Sequence, residues 1–351
     1  MKRLFVLSVF LAGTISGACG AQDAPRPHSP NPKANALFTK GLELYKKSDP
    51  RTGGTFENAR AAVDLFQQAV KADPKFALAY VDMARAYLNL GYSNPGAASD
   101  SEIGPKVHAA LGRAVAADPN LAEAHRVTAA VAYNMDFDWQ TAGREYKRSL
   151  ELEPDNATTH LSYADFLGTM GRFPEALAEA DKAEMIGHSP MTDFVQARIY
   201  YDMHRYDIAI AYCEKSLAQQ DNQATRFYLA LMYAAQGQYD KAMPQFQRTT
   251  EEHNGGALAG LAYAYAMAGE PEKAQELLSK LYANRNEGAI VPYRMAAVYL
   301  ALGERKQALQ WLRLSRESHE NWMAQLKVDP VMDPLRSDPA FQGLVREMHF
   351  S

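Results

Sequence analysis

Small and apolar residues in this chain recur at the spacing of one helix face, and that helical pattern itself repeats every 32 to 34 residues. Ala142, Ala176, Ala209, Ala242, Ala274 and Ala308 form one series. Ala84, Ala129, Ala164, Ala197, Ala230, Ala262 and Ala296 form a second, on the preceding helix of each unit. A period of this length predicts an array of helix-turn-helix units. Two short amphipathic helices cannot bury their own apolar face and must stack on their neighbours to make a continuous core. Three residues beyond most of the second series stand Tyr87, Tyr200, Tyr233, Tyr265 and Tyr299, with Leu167 in the same slot of another copy. Alanine lets two helix backbones approach, and the larger residue one turn on fills the groove between successive hairpins, so these tyrosines are predicted to be core.

The punctuation agrees with the period. Gly171, Gly237, Gly269 and Gly303 stand where a first helix ends, supplying a left-handed cap. Asp73-Pro74, Asp118-Pro119 and Glu153-Pro154 stop one unit and preset the next. The pattern predicts an all-α chain of about eight antiparallel helix pairs, near 34–72, 77–117, 122–152, 157–186, 190–219, 223–252, 255–281 and 289–317. The first two carry insertions, Ser48 to Phe56 and Tyr92 to Gly104, expected as loops. Residues 318–351 follow the last unit. There Phe341, Leu344, Val345 and Met348 share one helix face and Asp338-Pro339 opens it, so this segment is expected to fold back as a cap over the open end of the stack.

The N-terminus reads differently. Met1-Lys2-Arg3, an apolar run from Leu4 to Ala18 and the small residues up to Ala21 read as a secretory signal peptide, residues 1–21. The run is short for a membrane span of roughly 20 residues. Cys19 sits where a lipoprotein would carry its acylated cysteine, although Ser16 stands where a large aliphatic residue is usual. Ordinary cleavage after Ala18, Gly20 or Ala21 fits as well, so a lipid-anchored and a freely periplasmic or secreted form both stay open. Residues 22–33, with alternating prolines, read as a spacer.

Charge and cysteine content narrow the function. The chain holds 37 basic and 41 acidic residues, a formal charge of −4 that becomes −6 without Lys2 and Arg3. With no basic cluster, nucleic acid is not an expected partner. Only Cys19 and Cys213 are present, which rules out a disulfide framework.

The small, aromatic, glycine, alanine and proline positions at this period resemble the tetratricopeptide repeat over residues 34–317. More narrowly, Phe137 to Pro154 followed by Ala157 to Ala164, and the closing Asp333-Pro334-Leu335-Arg336-Ser337-Asp338-Pro339-Ala340-Phe341, resemble the repeats attached to bacterial membrane-anchored transcriptional regulators and adenylate cyclases. In those relatives the output domain precedes the repeats. Here a signal peptide and spacer stand in that region, so neither DNA binding nor cyclase activity is carried over. The resemblance implies a right-handed superhelical solenoid whose first helices form an inner wall that binds a protein or peptide. On that wall the positions flanking the packed alanines are Arg85, Asn89, Arg126, Tyr133, Asp165, Arg198, Tyr201 and Asp202 in the first half. In the second they are Phe227, Leu231, Tyr263, Met267, Tyr293, Ala297 and Leu300. A wall polar at one end and apolar at the other suits an extended peptide or an amphipathic helix. The competing expectation is that the C-terminal segment closes the apolar part.

Little else carries chemistry. His125 and His160 share one slot of adjacent units, which repeat spacing explains more simply than a metal pair; no metal or cofactor is expected. No nucleophile elbow, phosphate-binding glycine loop, zinc signature or paired-carboxylate pattern stands out, so the chain is expected not to be an enzyme. The leading expectation is an envelope scaffold that holds a protein partner. The alternative is a periplasmic binder of a small-molecule or peptide ligand, which would require a closed apolar pocket.

Overall fold

The computed structural model describes residues 29–48, 55–93, 100–250, 255–283 and 290–350. The expected signal peptide, Cys19 and most of the spacer lie outside them, as do the centres of the two insertions. All regular structure among the described residues is helical. It falls into two compact units, Met1–Thr159 and His160–Ser351.

The first unit holds three antiparallel pairs: α1 (Pro32–Lys46) with α2 (Phe56–Ala72), α3 (Ala77–Ser93) with α4 (Asp100–Ala117), and α5 (Ala122–Val131) with α6 (Trp139–Leu152). α1 begins inside the expected spacer, because Asn31 caps it through the Lys33 and Ala34 amides and Pro32 takes the first helical position, where its missing N–H costs nothing. Both ends of the second insertion are likewise helical, completing α3 and opening α4. Asn31 and Ser29 also tie this end to α2, Asn31 Nδ2 donating to the Ala72 carbonyl at 2.8 Å and Ser29 Oγ to Asp73. The third pair lacks a turn glycine. There α5 widens into a π turn, Ala132–Asp136, and closes on Phe137 at φ 55°.

The second unit continues from α7 (Ala157–Thr169) through α8 (Phe173–Ile186), α9 (Pro190–Asp202), α10 (Tyr206–Gln219), α11 (Gln223–Ala235), α12 (Tyr239–Thr250), α13 (Gly255–Met267), α14 (Pro271–Ala283), α15 (Pro292–Ala301) and α16 (Arg305–Glu317). Two 3-10 turns, Asn321–Gln325 and Pro330–Leu335, lead to α17 (Pro339–Glu347). Gly171, Gly237, Gly269 and Gly303 all take positive φ at the turn inside a pair, and His204 takes the same conformation in the pair that lacks the glycine.

Both alanine series are fully buried, from Ala84 to Ala296 and from Ala142 to Ala308. The tyrosines beyond them are not core in the same sense. Tyr87, Tyr200, Tyr265 and Tyr299 are only half-buried. Each ring wedges beside the seam while a buried phenol needs a partner, so the hydroxyls reach outward. Gln67 donates to Tyr87 at 2.7 Å, Tyr233 to Glu214 at 2.8 Å, and Tyr282 and Tyr299 share a hydrogen bond of 2.7 Å.

Candidate functional site

In the first unit two of the predicted wall residues, Arg85 and Arg126, gather into one charged cluster. Arg85 on α3 pairs with Asp82 at 2.8 Å and with Glu123 on α5, and Arg126 meets both oxygens of Glu123 at 2.8 and 2.9 Å. The two arginines are 4% and 2% exposed, so their charge is spent on these carboxylates, and burial brings Arg126 down to about 10. Asn89 donates to Ser48 Oγ at 2.7 Å, and Tyr133 sits edge-on to Trp139 with ring centres 6.2 Å apart.

In the second unit the first helices α9, α11, α13 and α15 stand side by side, and the wall they make is already covered. Residues 320–338 run back along it, from α15 to α7. Gln325 donates to Thr169 Oγ1 at 3.0 Å and Lys327 Nζ to the Met170 carbonyl at 3.1 Å. Asp329 accepts from the Tyr293 hydroxyl at 3.0 Å and the Tyr201 hydroxyl at 3.3 Å. His204 and Asp333 are 2.5 Å apart. Trp322 lies against the rings of Tyr228 and Tyr293, 6.4 Å from each centre. The Arg294 guanidinium is wedged between Phe227, at 3.7 Å, and Trp322, at 4.6 Å.

Met323, Leu326, Met332 and Leu335 are all 0% exposed. At roughly 1.5–3 kcal/mol for each buried side chain, the segment is held chiefly by apolar contact. Only α17 caps in the expected sense, packing on α16 with Arg316 3.0 Å from Glu347.

Of the predicted wall residues here, Tyr201, Phe227, Tyr263 and Tyr293 are therefore buried, in a wall that carries the chain's own segment. Asp165 and Arg198 are buried as an ion pair of 2.5 Å. Leu231 is half-buried, and Met267 stands apart at 40% exposure. Sequence reasoning missed Tyr228 and Arg294, which lie two residues before the packed alanines Ala230 and Ala296. The signal is that shared offset of two residues, at which none of the wall residues named from the sequence stands. Glu320, Trp322 and Asp329 belong to no repeat and have no periodic signal.

Electrostatics at this seat follow from desolvation. Burial pushes Glu320 up to about 7, although its carboxylate accepts from Ser315 Oγ at 2.6 Å and the Tyr293 amide at 2.9 Å. Burial also raises Asp329, and raises Asp202 well above the usual carboxylate range with Arg198 partly offsetting it. It lowers Arg294 to about 10.

The histidines have local partners. His125 Nδ1 is 2.7 Å from Glu145 and His160 Nδ1 2.5 Å from Glu179, each bridging the two helices of its own pair. Glu184, His188 and Asp193 bring one ligand atom each within 4.8 Å at the α8–α9 joint. The Lys215 ammonium stands 2.8 Å from Asp193 and 3.7 Å from Glu184, so an internal cation meets that charge. Burial pushes the Cys213 thiol far up, which makes it inert. No helix among the described residues is long and apolar enough to cross a membrane.

Comparison with known proteins finds the same repeat fold. The tetratricopeptide repeat family matches residues 233–287 and again 293–313, and the family of the anaphase-promoting complex, cyclosome, subunit 3 matches 202–259. The chain is similar in structure to the APC/C hetero-tetramer Cut9-Hcn1, with 15% identity over 90% of this chain and 55% of that one and a TM-score of 0.55. It is similar to yeast Tom70, with 16% identity over 92% of this chain and 69% of that one and a TM-score of 0.53. A thermophilic TPR protein of Thermus thermophilus aligns at 23% identity over 57% of this chain and 98% of that one, with a TM-score of 0.43. No curated protein matches by sequence. The chain carries tetratricopeptide repeats, in a fold suited to protein–protein interaction.

Proposed function

We propose that this chain is a non-enzymatic scaffold or adaptor of the bacterial cell envelope that holds a protein or peptide partner on the first-helix faces of its repeats. One observation carries the reading: the first-helix wall of the second unit seats residues 320–338, a polypeptide without long regular structure, through tyrosine hydroxyls and an aromatic slot. Those are the means by which an extended peptide is recognised, with hydrogen bonds to fix register and a buried aromatic to supply affinity. On the face of the first unit Asn89 stays partly exposed, beside the buried Arg85, Arg126 and Tyr133. The envelope location rests on the N-terminal run from Met1 to Ala21.

The test uses the chain from Asp23 onward as cross-linking bait in envelope extracts. Asn89, Leu231, Met267 and Ala297 are the predicted wall residues that remain partly exposed, so alanine at the first three changes binding without emptying the core. Capture of a defined protein that falls at least about tenfold in the triple alanine variant, with unchanged thermal melting, is the expected result. Capture indifferent to all three substitutions overturns the assignment of the face.

A further inference from the structure

The segment on the second unit's wall has the properties of a bound ligand. It holds its own shape: Arg336 donates to the carbonyls of Leu326, Lys327 and Asp329, and its Nε lies 3.0 Å from Asp333. Asp329 also caps the second turn through the Val331 amide at 3.0 Å. A module tied internally in this way docks without a large ordering cost. Its covalent link to α16 is the turn at Ser318–His319, where His319 has a φ of 51°, and beyond it α17 packs back on α16.

The fit is also incomplete. Arg294 Nε in the wall and Trp322 Nε1 in the segment are both closed off from solvent without an acceptor. A buried donor left without an acceptor costs stability. An occupant that offered an oxygen to Arg294 Nε, and carried no unpaired donor in place of Trp322, would gain what the resident segment forgoes.

We propose that residues 320–338 are an internal ligand of this wall. The partner it takes is a peptide that adopts the same turns, with an aromatic residue followed seven positions later by an acidic one, admitted when the segment is displaced. The spacing is that of Trp322 and Asp329, whose seats are the Tyr228–Tyr293–Arg294 slot and the two hydroxyls of Tyr201 and Tyr293. This deepens the proposed function and rests on it. A short tether holds the segment at an effective concentration of order millimolar, so a partner present at micromolar levels must bind the wall about a thousandfold more tightly than the segment does.

The test works on the full chain with a fluorescent peptide of residues 319–338 as probe. Wild type is expected to bind it negligibly. Trp322→Ala/Asp329→Asn, which loosens the resident segment, is expected to bind it at least about tenfold more tightly than wild type and to be cleaved faster within 319–338. A scrambled peptide, or a peptide with alanine at its Trp322 and Asp329 positions, should not bind. A second form carries an inserted protease site between Ser318 and His319. Once nicked, it should exchange its own segment for the labelled peptide. Overturning results are a nicked chain that retains its segment without exchange or aggregates, or a folded double variant that binds no peptide; both make the segment a fixed wall. These outcomes are separable from the scaffold reading. Envelope capture that is equal for wild type and double variant sinks the displacement alone, and absence of any captured protein with either sinks the scaffold reading.

Discussion

At Gly260 the missing side chain decides how closely two aromatic rings can come. A β-carbon there would lie 2.6 Å from the Phe227 ring and 2.7 Å from the Phe246 ring, both too rigid to yield. Gly260→Ala is therefore expected to destabilise the second unit by about 1–3 kcal/mol through overpacking, read as a lower urea midpoint with the slope unchanged. The alanine series was fully legible in the sequence, because a slot that admits only a methyl group recurs once per period and leaves a periodic mark. The tyrosines were half legible. Their spacing gives the seam they occupy but not their depth, since a phenol must keep its hydroxyl near a partner such as Gln67 or Glu214.

Among the elements, the returning segment carries the clearest expectations. Trp322→Ala removes the ring that Tyr228, Tyr293 and Arg294 pack against, and should cost about 3–5 kcal/mol in the second unit, measured by chemical denaturation alongside the proteolysis described above. Glu320 gives a pH dependence of known sign. Its native pKa of about 7 lies above the ordinary 4.5, so between those values the folded state holds a proton that the unfolded chain has released. Its stabilisation is complete below about pH 4.5 and is lost as pH rises through about 7. Asp329 and Asp202 are shifted in the same direction and add to the loss. The urea midpoint of the second unit is expected to fall between pH 5 and pH 8. Glu320→Gln, which stays neutral, should flatten that dependence, whereas an unaltered slope in the variant would assign it elsewhere. The course of this segment was not legible. Periodicity fixes the register of repeats, and residues 320–338 do not repeat; Asp329, Asp333 and Asp338, each before a proline, announced turns without saying which surface the turns would meet.

For the whole molecule, the composition, the period and the turn glycines carried the fold class, because each unit answers to the same local rules and the array only multiplies them. What it binds was not legible, since a wall of side chains takes its meaning from an occupant. At the N-terminus, mass spectrometry of the mature chain is expected to find either diacylglyceryl-Cys19 or a free amine after Ala18, Gly20 or Ala21; an intact Met1 would remove the envelope from the proposal.

Open repeat arrays make nearly all their contacts between neighbours in sequence. In the second unit the hydrogen bond from Gln325 to Thr169 spans 156 residues, and it turns an open row into a clasp. Non-local closure slows folding and couples distant parts. Amides of α7 and α15 should therefore exchange with solvent at similar free energies rather than fray from one end. An exported chain crosses the membrane N-terminus first, so a wall that folds as it emerges stands bare until residues 320–338 have followed. That interval, before the clasp closes, is when the wall can meet another molecule without displacing anything.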